Sequence, residues 1–184
     1  MDGKTRCKWC SPKNPLYVTY HDTEWGVPNF DEGYLYEMLI LESFQAGLSW
    51  ECVLNKRENF RKAYDGFDLE KVLAYGEAKE QELLHNKGII RNRLKIRASI
   101  HNSRIFKDIA GEYGSFYQYL RTFTKDETLY ETGKISNALS DAISNDLQKR
   151  GMRFTGSVII YSYLQAIGVI CSHEEGCFLY QEEA

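Results

Sequence analysis

Apolar residues in this 184-residue chain recur at intervals of three and four and nowhere alternate over the length of a strand, which confines the fold to packed helices. Asp31 is suited to cap a helix, and Leu35, Met38, Leu39, Leu41, Phe44 and Leu48 follow it as a wide apolar face. Ser49 is placed to cap a second helix through Trp50, Val53, Leu54 and Phe60, stopped near Asp65-Gly66. Asp68 opens a short helix that Gly76 ends, and residues 77–85 form another with Leu83 and Leu84 inward. Beyond Asn86-Lys87-Gly88, Ile89, Ile90, Leu94, Ile96, Ile100, Ile105 and Ile109 resume helical spacing. This predicts a helix, a tight turn whose Gly88 can take positive φ, and a second helix. Ser115 can cap residues 116–123, a polar and less ordered connection spans 124–135, and two further helices are closed by Gly151 and Gly168. Residues 1–28, rich in Gly, Pro, Cys and aromatics, lack periodicity and are expected to form an irregular arm. The expected fold class is all-α, a single domain over residues 1–184 in two helical lobes that share a cleft.

An irregular arm must be held by something other than its own helices. Cys7, Cys10 and His21 stand near one end of the chain and Cys171, His173 and Cys177 near the other, a thiol and imidazole set of the kind zinc prefers at structural sites. One ion joining the two ends would remove chain entropy from the unfolded state, worth on the order of a few kcal/mol by analogy with a covalent crosslink. Spacing leaves open which four of the six bind. Five cysteines without a secretory signal fit reduced thiols or metal ligands better than a disulfide framework. No apolar run is long enough to span a bilayer, so the chain is expected to be soluble, cytoplasmic and free of membrane contact.

The stretch Leu41-Glu42-Ser43-Phe44-Gln45-Ala46-Gly47-Leu48-Ser49-Trp50 sets a carboxylate and a tryptophan eight residues apart across a Gly-Leu-Ser break. Glu42 lies on or beside the apolar face, where a carboxylate is either satisfied by local donors or awaits a ligand that brings them. Charge is distributed unevenly as well. Residues 85–107 carry Lys87, Arg91, Arg93, Lys95, Arg97, Arg104 and Lys107 and no acid, so this segment holds +7 and the remainder −10. A basic run in an acidic chain leans toward a polyanion partner. Lys87, Gly88, Arg91 and Arg93 at a helix start make a phosphate site that ignores base sequence, with Lys95 a further expected phosphate contact.

Tyr20-His21-Asp22-Thr23-Glu24-Trp25-Gly26-Val27-Pro28, Leu41-Glu42 with Gln45-Ala46-Gly47-Leu48-Ser49-Trp50, Gly88-Ile89-Ile90-Arg91-Asn92-Arg93 and Lys149-Arg150-Gly151 resemble the DNA-3-methyladenine glycosylase I family over nearly the whole chain. The resemblance implies a helix-hairpin-helix DNA glycosylase fold with one zinc ion clamping the termini through Cys7, His21, His173 and Cys177, which leaves Cys10 and Cys171 outside. It implies double-stranded DNA containing alkylated bases as partner and free 3-methyladenine as product, made by a monomer. By resemblance, Trp50 stacks on the base, Glu42 and Tyr20 hydrogen-bond its edge, and Trp9 and Trp25 complete the aromatic walls. Methylation at N3 gives adenine a positive charge, so the glycosidic bond is weak and little acid catalysis is needed. The lesion must still be flipped into a pocket, with Leu48 the expected wedge into the gap it leaves.

Other enzymes of this fold carry a catalytic Asp beyond the hairpin or a lysine on the helix after it. Asp108 lies at a suitable distance but abuts Lys107 with no clear phase toward the pocket, so the expected enzyme is a monofunctional hydrolase without lyase activity. The alternatives are a bifunctional glycosylase/lyase and a non-catalytic, zinc-containing lesion-binding protein. The latter does not need Tyr20, Glu42 and Trp50 together.

Overall fold

The computed structural model describes residues 3–125 and 127–182. Among the described residues the fold is almost entirely helical, as the apolar spacing predicts. Its axis is α2 (Glu32–Gln45), whose N-terminus Asp31 caps by accepting from the Tyr34 amide at 3.0 Å. Every residue of α2 from Leu35 to Phe44 is buried, so the helix is enclosed on all sides rather than amphipathic. Packed against it are α3 (Trp50–Leu54), α7 (Arg93–Tyr113), α8 (Phe116–Arg121) and α10 (Ser157–Ala166), with α9 (Ala138–Lys149) behind α10.

The arm expected to be irregular contains α1 (Pro15–Thr23). Proline at the first helical position needs no amide partner and presets φ, and Tyr17, Tyr20 and His21 bury one face. The second expected helix is two. Ser49 caps α3 at the Cys52 amide, the chain breaks at Asn55-Lys56, and α4 (Arg57–Ala63) begins with Arg57 turned inward. There Arg57 meets Glu37 and Glu24, each at 2.6 Å, tying the end of α1 to α2. After α4, Asp65, Gly66 and Phe67 all take positive φ, and α5 (Leu69–Leu73) and α6 (Glu77–His85) follow, α5 capped by Asp68 at the Lys71 amide.

The hairpin departs from expectation at two points. The helix after the turn starts at Arg93, not Ile89, because the Asn92 side chain accepts from the Lys95 amide and caps α7 there, while buried Ile89 anchors the non-helical residues before it. Gly88 is not in the left-handed region; the space around it is tight. A Cβ there would lie 3.0 Å from Asn86 Oδ1 and 3.1 Å from the Asn59 side chain.

The connection expected to be loose is ordered by a short parallel pair, β1 (Leu129–Tyr130) on β2 (Ile170–Cys171). Glu131, which follows β1, is buried and accepts from Lys134 and from the Asn137 amide nitrogen, each at 2.5 Å, and Asn137 caps α9. At the end of α10, Gly168 (φ 75°) lets residues 26–29 cross so closely that a Cβ would sit 2.2 Å from Pro28 N. The chain then returns to its start, where the Phe178 amide donates to the Thr5 carbonyl. No helix among the described residues is long and apolar enough to cross a membrane.

Candidate active site and its flanking clusters

Two carboxylates are buried in α2, and their surroundings differ. Glu37 accepts from Arg57 and from Arg61, at 2.6 and 2.9 Å. Among the described residues Glu42, 2% exposed, has no cation beside it, and its Oε2 finds no hydrogen-bond partner. Burial alone pushes its carboxyl well above the usual range. Tyr20 lies nearby, its phenol also pushed up, first by burial and then by the charge of Glu42.

Glu42 borders a cavity of about 390 Å³, a size that suits a small ligand. Trp9, Tyr20, Trp25 and Trp50 line it with Glu42, and Tyr17, Gln45 and the 133–135 segment share the lining. Tyr20 and Trp50 lie 5.4 Å apart between centroids, and Trp9 meets Trp25 edge to face at 4.7 Å. Two more buried polar atoms in this lining have no partner, the Gln45 side-chain oxygen and the Trp50 indole nitrogen. A folded chain rarely leaves such groups unmet, and three around one cavity offer polar contacts to whatever enters it, solvent or ligand. Gln45 is quoted within the motif in the sequence reading but given no role there, although it stands three residues after Glu42, one helical turn on. Tyr17 bears the same relation to Tyr20.

Beside the cavity, Cys7, His21, His173 and Cys177 converge, all buried, with one ligand atom from each lying within 4.8 Å of the others. Cys7 Sγ and Cys177 Sγ stand 3.5 and 3.6 Å from His173 Nδ1, and Cys177 Sγ stands 3.5 Å from His21 Nε2. A tetrahedral zinc with Zn–N near 2.0 Å and Zn–S near 2.3 Å needs such edges of about 3.5 Å. His21 Nδ1 meets Asp22 at 2.8 Å, and Asp22 in turn accepts from Arg6, the outer support that orients a ligating imidazole. Burial pushes His173 down to about 4, which keeps the imidazole neutral, and pushes the Cys7 thiol up to about 12. Cys10 and Cys171 stand apart. Cys10 faces the Tyr17 carbonyl and Cys171 packs against Gly26. The cluster and the cavity share walls, since Trp25 meets His173 edge to face at 4.8 Å and Trp9 lies 5.2 Å from His21.

The basic segment divides into exposed side chains without an ion pair among the described residues, Arg104 on α7 among them, exposed side chains held by acids, and the buried Lys95. Lys87, Arg91 and Arg93 are exposed on the 86–93 turn with no ion pair among the described residues. Arg97 is taken by Glu80 and Lys107 by Glu70, acids that lie outside the segment and that a local charge count misses. Lys95 is not on the surface. It is 7% exposed, and its ammonium donates to the Phe44 and Ala46 carbonyls at 2.8 and 2.5 Å, so the expected phosphate contact is a brace on the end of α2. Leu48 is 41% exposed on the turn between α2 and α3, between the cavity-lining Gln45 and Trp50. Asp108 is exposed and does not line the cavity.

Known proteins resemble this chain along nearly its whole length. It is 43% identical over 182 residues to DNA-3-methyladenine glycosylase 1 of Escherichia coli strain K12, covering 95% of this chain and 96% of that protein. The crystal structure of a 3-methyladenine DNA glycosylase I superposes with a TM-score of 0.91 at 41% identity, over 96% of this chain and all of that one. The Staphylococcus aureus 3-methyladenine DNA glycosylase I, solved to show how it recognises 3-methyladenine, superposes with a TM-score of 0.89 at 28% identity, over 98% of this chain and all of that one. With the methyladenine glycosylase profile matching residues 9–180, the chain belongs to the methyladenine glycosylase family.

Proposed function

We propose that this glycosylase removes 3-methyladenine from double-stranded DNA by hydrolysis, without cutting the strand. The observation that carries this reading is Glu42, a buried carboxylate with no cation beside it, on the wall of an aromatic cavity. A methylated adenine brings the missing partners, namely a positive charge and amino hydrogens for the carboxylate. Its cationic ring also gains over the faces of indoles, by about 1–2 kcal/mol when desolvated. Tyr20, Glu42 and Trp50 then bind the flipped base between them, and Trp9 and Trp25 close the walls. In the reaction the C1′–N9 bond breaks and its electron pair moves to the base, cancelling the ring charge. A water oxygen bonds C1′ and its proton passes to solvent. Because the leaving group is already cationic, Glu42 works chiefly by recognition.

The same reading assigns a helix-hairpin-helix role to α6, α7 and the turn between them, with Lys87, Gly88, Arg91 and Arg93 on the phosphates. Leu48 enters the stack where the nucleotide has left it, and extrusion costs least for a base that stacks and pairs poorly. Cys7, His21, His173 and Cys177 hold one zinc ion, which supplies structural closure of the chain rather than chemistry. Lyase activity has no support in the surroundings of the two side chains considered for it, since Lys95 is buried against carbonyls and Asp108 is exposed and does not line the cavity. The test is incubation with alkylated duplex DNA and identification of what is freed. The expected result is 3-methyladenine, with strands that stay intact until alkali cleaves the abasic sites. Binding without release would favour a lesion-binding protein, and strand breaks before alkali would favour a bifunctional enzyme.

A further inference from the structure

Lys95 stands at a place where a cation is expensive twice over. It is desolvated, with no carboxylate in salt-bridge range among the described residues, and it lies in the first turn of α7, at the positive end of that helix. What compensates is the other end of a different helix. The carbonyls that receive its ammonium, Phe44 and Ala46, belong to the last turn and the C-cap of α2, where orphan acceptors and the negative dipole end gather. The Phe154 ring lies 5.9 Å from the ammonium, within range of a cation–π contact.

The two carbonyls bracket Gln45, whose side-chain oxygen lies unpartnered in the cavity wall. Phe44 is two residues past Glu42, and Ala46 is two residues before Leu48. One ammonium from the helix that follows the basic turn therefore fixes the backbone between the base-recognising carboxylate and the exposed leucine. We propose that Lys95 is a positioning residue that couples docking of the 86–93 turn on DNA to the placement of the 44–48 turn, so that Leu48 enters the duplex beside the pocket in which Glu42 receives the base. This rests on the glycosylase reading above, and it assigns Lys95 neither a phosphate nor a place in the bond-breaking step.

The experiment compares the wild type with Lys95→Met, which keeps length and packing but removes the donors, and with Lys95→Arg, which restores them. Three quantities are measured: single-turnover release of 3-methyladenine from duplex DNA, affinity for free 3-methyladenine, and amide hydrogen exchange over residues 44–50 with and without a duplex carrying an abasic-site analogue. A coupling role predicts that the Met variant loses about 30-fold or more in release from duplex, since small misplacements of a reacting assembly cost on the order of a hundredfold. Its affinity for the free base changes by no more than about threefold, and Arg recovers most of the rate. The 44–50 amides exchange faster in the Met variant and gain no protection from the duplex, while α10 is unaffected. Release at the wild-type rate, equal loss of release and free-base affinity, or an Arg variant no better than Met would each overturn the proposal. Should the wild type free no 3-methyladenine, the glycosylase reading fails by itself, and exchange over 44–50 alone then decides whether Lys95 governs this turn.

Discussion

Glu37 and Glu42 look alike in the sequence, two glutamates in an apolar helix, and only the folded chain separates them. The arginines that satisfy Glu37 come from positions 57 and 61, and nothing local announces that they turn toward one carboxylate and not the other. The isolation of Glu42 carries a stability consequence. Its carboxyl titrates higher in the folded state than in the unfolded chain, so the folded state binds the proton more tightly, and stability is lost as pH rises through the folded value. Glu42→Gln should therefore melt higher than the wild type, by about 1–2 kcal/mol, with the gain larger at pH 8 than at pH 5 in thermal unfolding. The same variant should bind free 3-methyladenine more weakly and excise it more slowly, each by roughly 1.5–3 kcal/mol, as a recognition role requires. Unchanged affinity with collapsed excision would instead identify a base that activates water. For the wild type, single-turnover excision should fall as pH drops through the raised Glu42 value, because only the carboxylate attracts a cationic base.

At the scale of elements, caps were legible and turns less so. Asp31, Ser49, Asp68 and Ser115 each cap the helix expected of them, because a short polar side chain before an apolar run has a local partner in the next turn. The hairpin was only partly legible. Asn92 outcompeted the periodicity of Ile89 and Ile90, and the charge count over 85–107 overstated the free surface because its partners lie elsewhere in the chain. That distinction is testable by the salt dependence of duplex binding. Reversing Arg91 and Arg93 together should make the slope of log affinity against log salt shallower by about 2, uniformly across sequences. Reversing Arg97, already held by Glu80 at 2.8 Å, should leave the slope nearly unchanged. Equal effects at all three positions would show that the whole segment, and not the turn, meets the phosphates.

At the scale of the whole molecule, spacing alone offered six candidates for joining the two ends, the family resemblance chose four of them, and those four are the ones that converge. Cys10 and Cys171 lie as near in sequence as their neighbours do, yet the helix begun by Pro15 and the close crossing at Gly26 turn them elsewhere. Stripping the ion with a chelator, or Cys177→Ala, should lower the melting temperature by on the order of 10 °C, as expected for losing a crosslink over so long a loop. A metal content near zero in a protein that melts at an unshifted temperature would remove the clamp. Trp25 packs on a candidate metal ligand and also faces the base cavity, so one side chain belongs to both sites. Two binding events that share a wall are thermodynamically reciprocal. Whatever factor the ion adds to the affinity for 3-methyladenine, the base must add to the affinity for the ion. Wherever that factor exceeds one, losing the ion would loosen the base site, and a base held in the cavity would in turn steady the clamp.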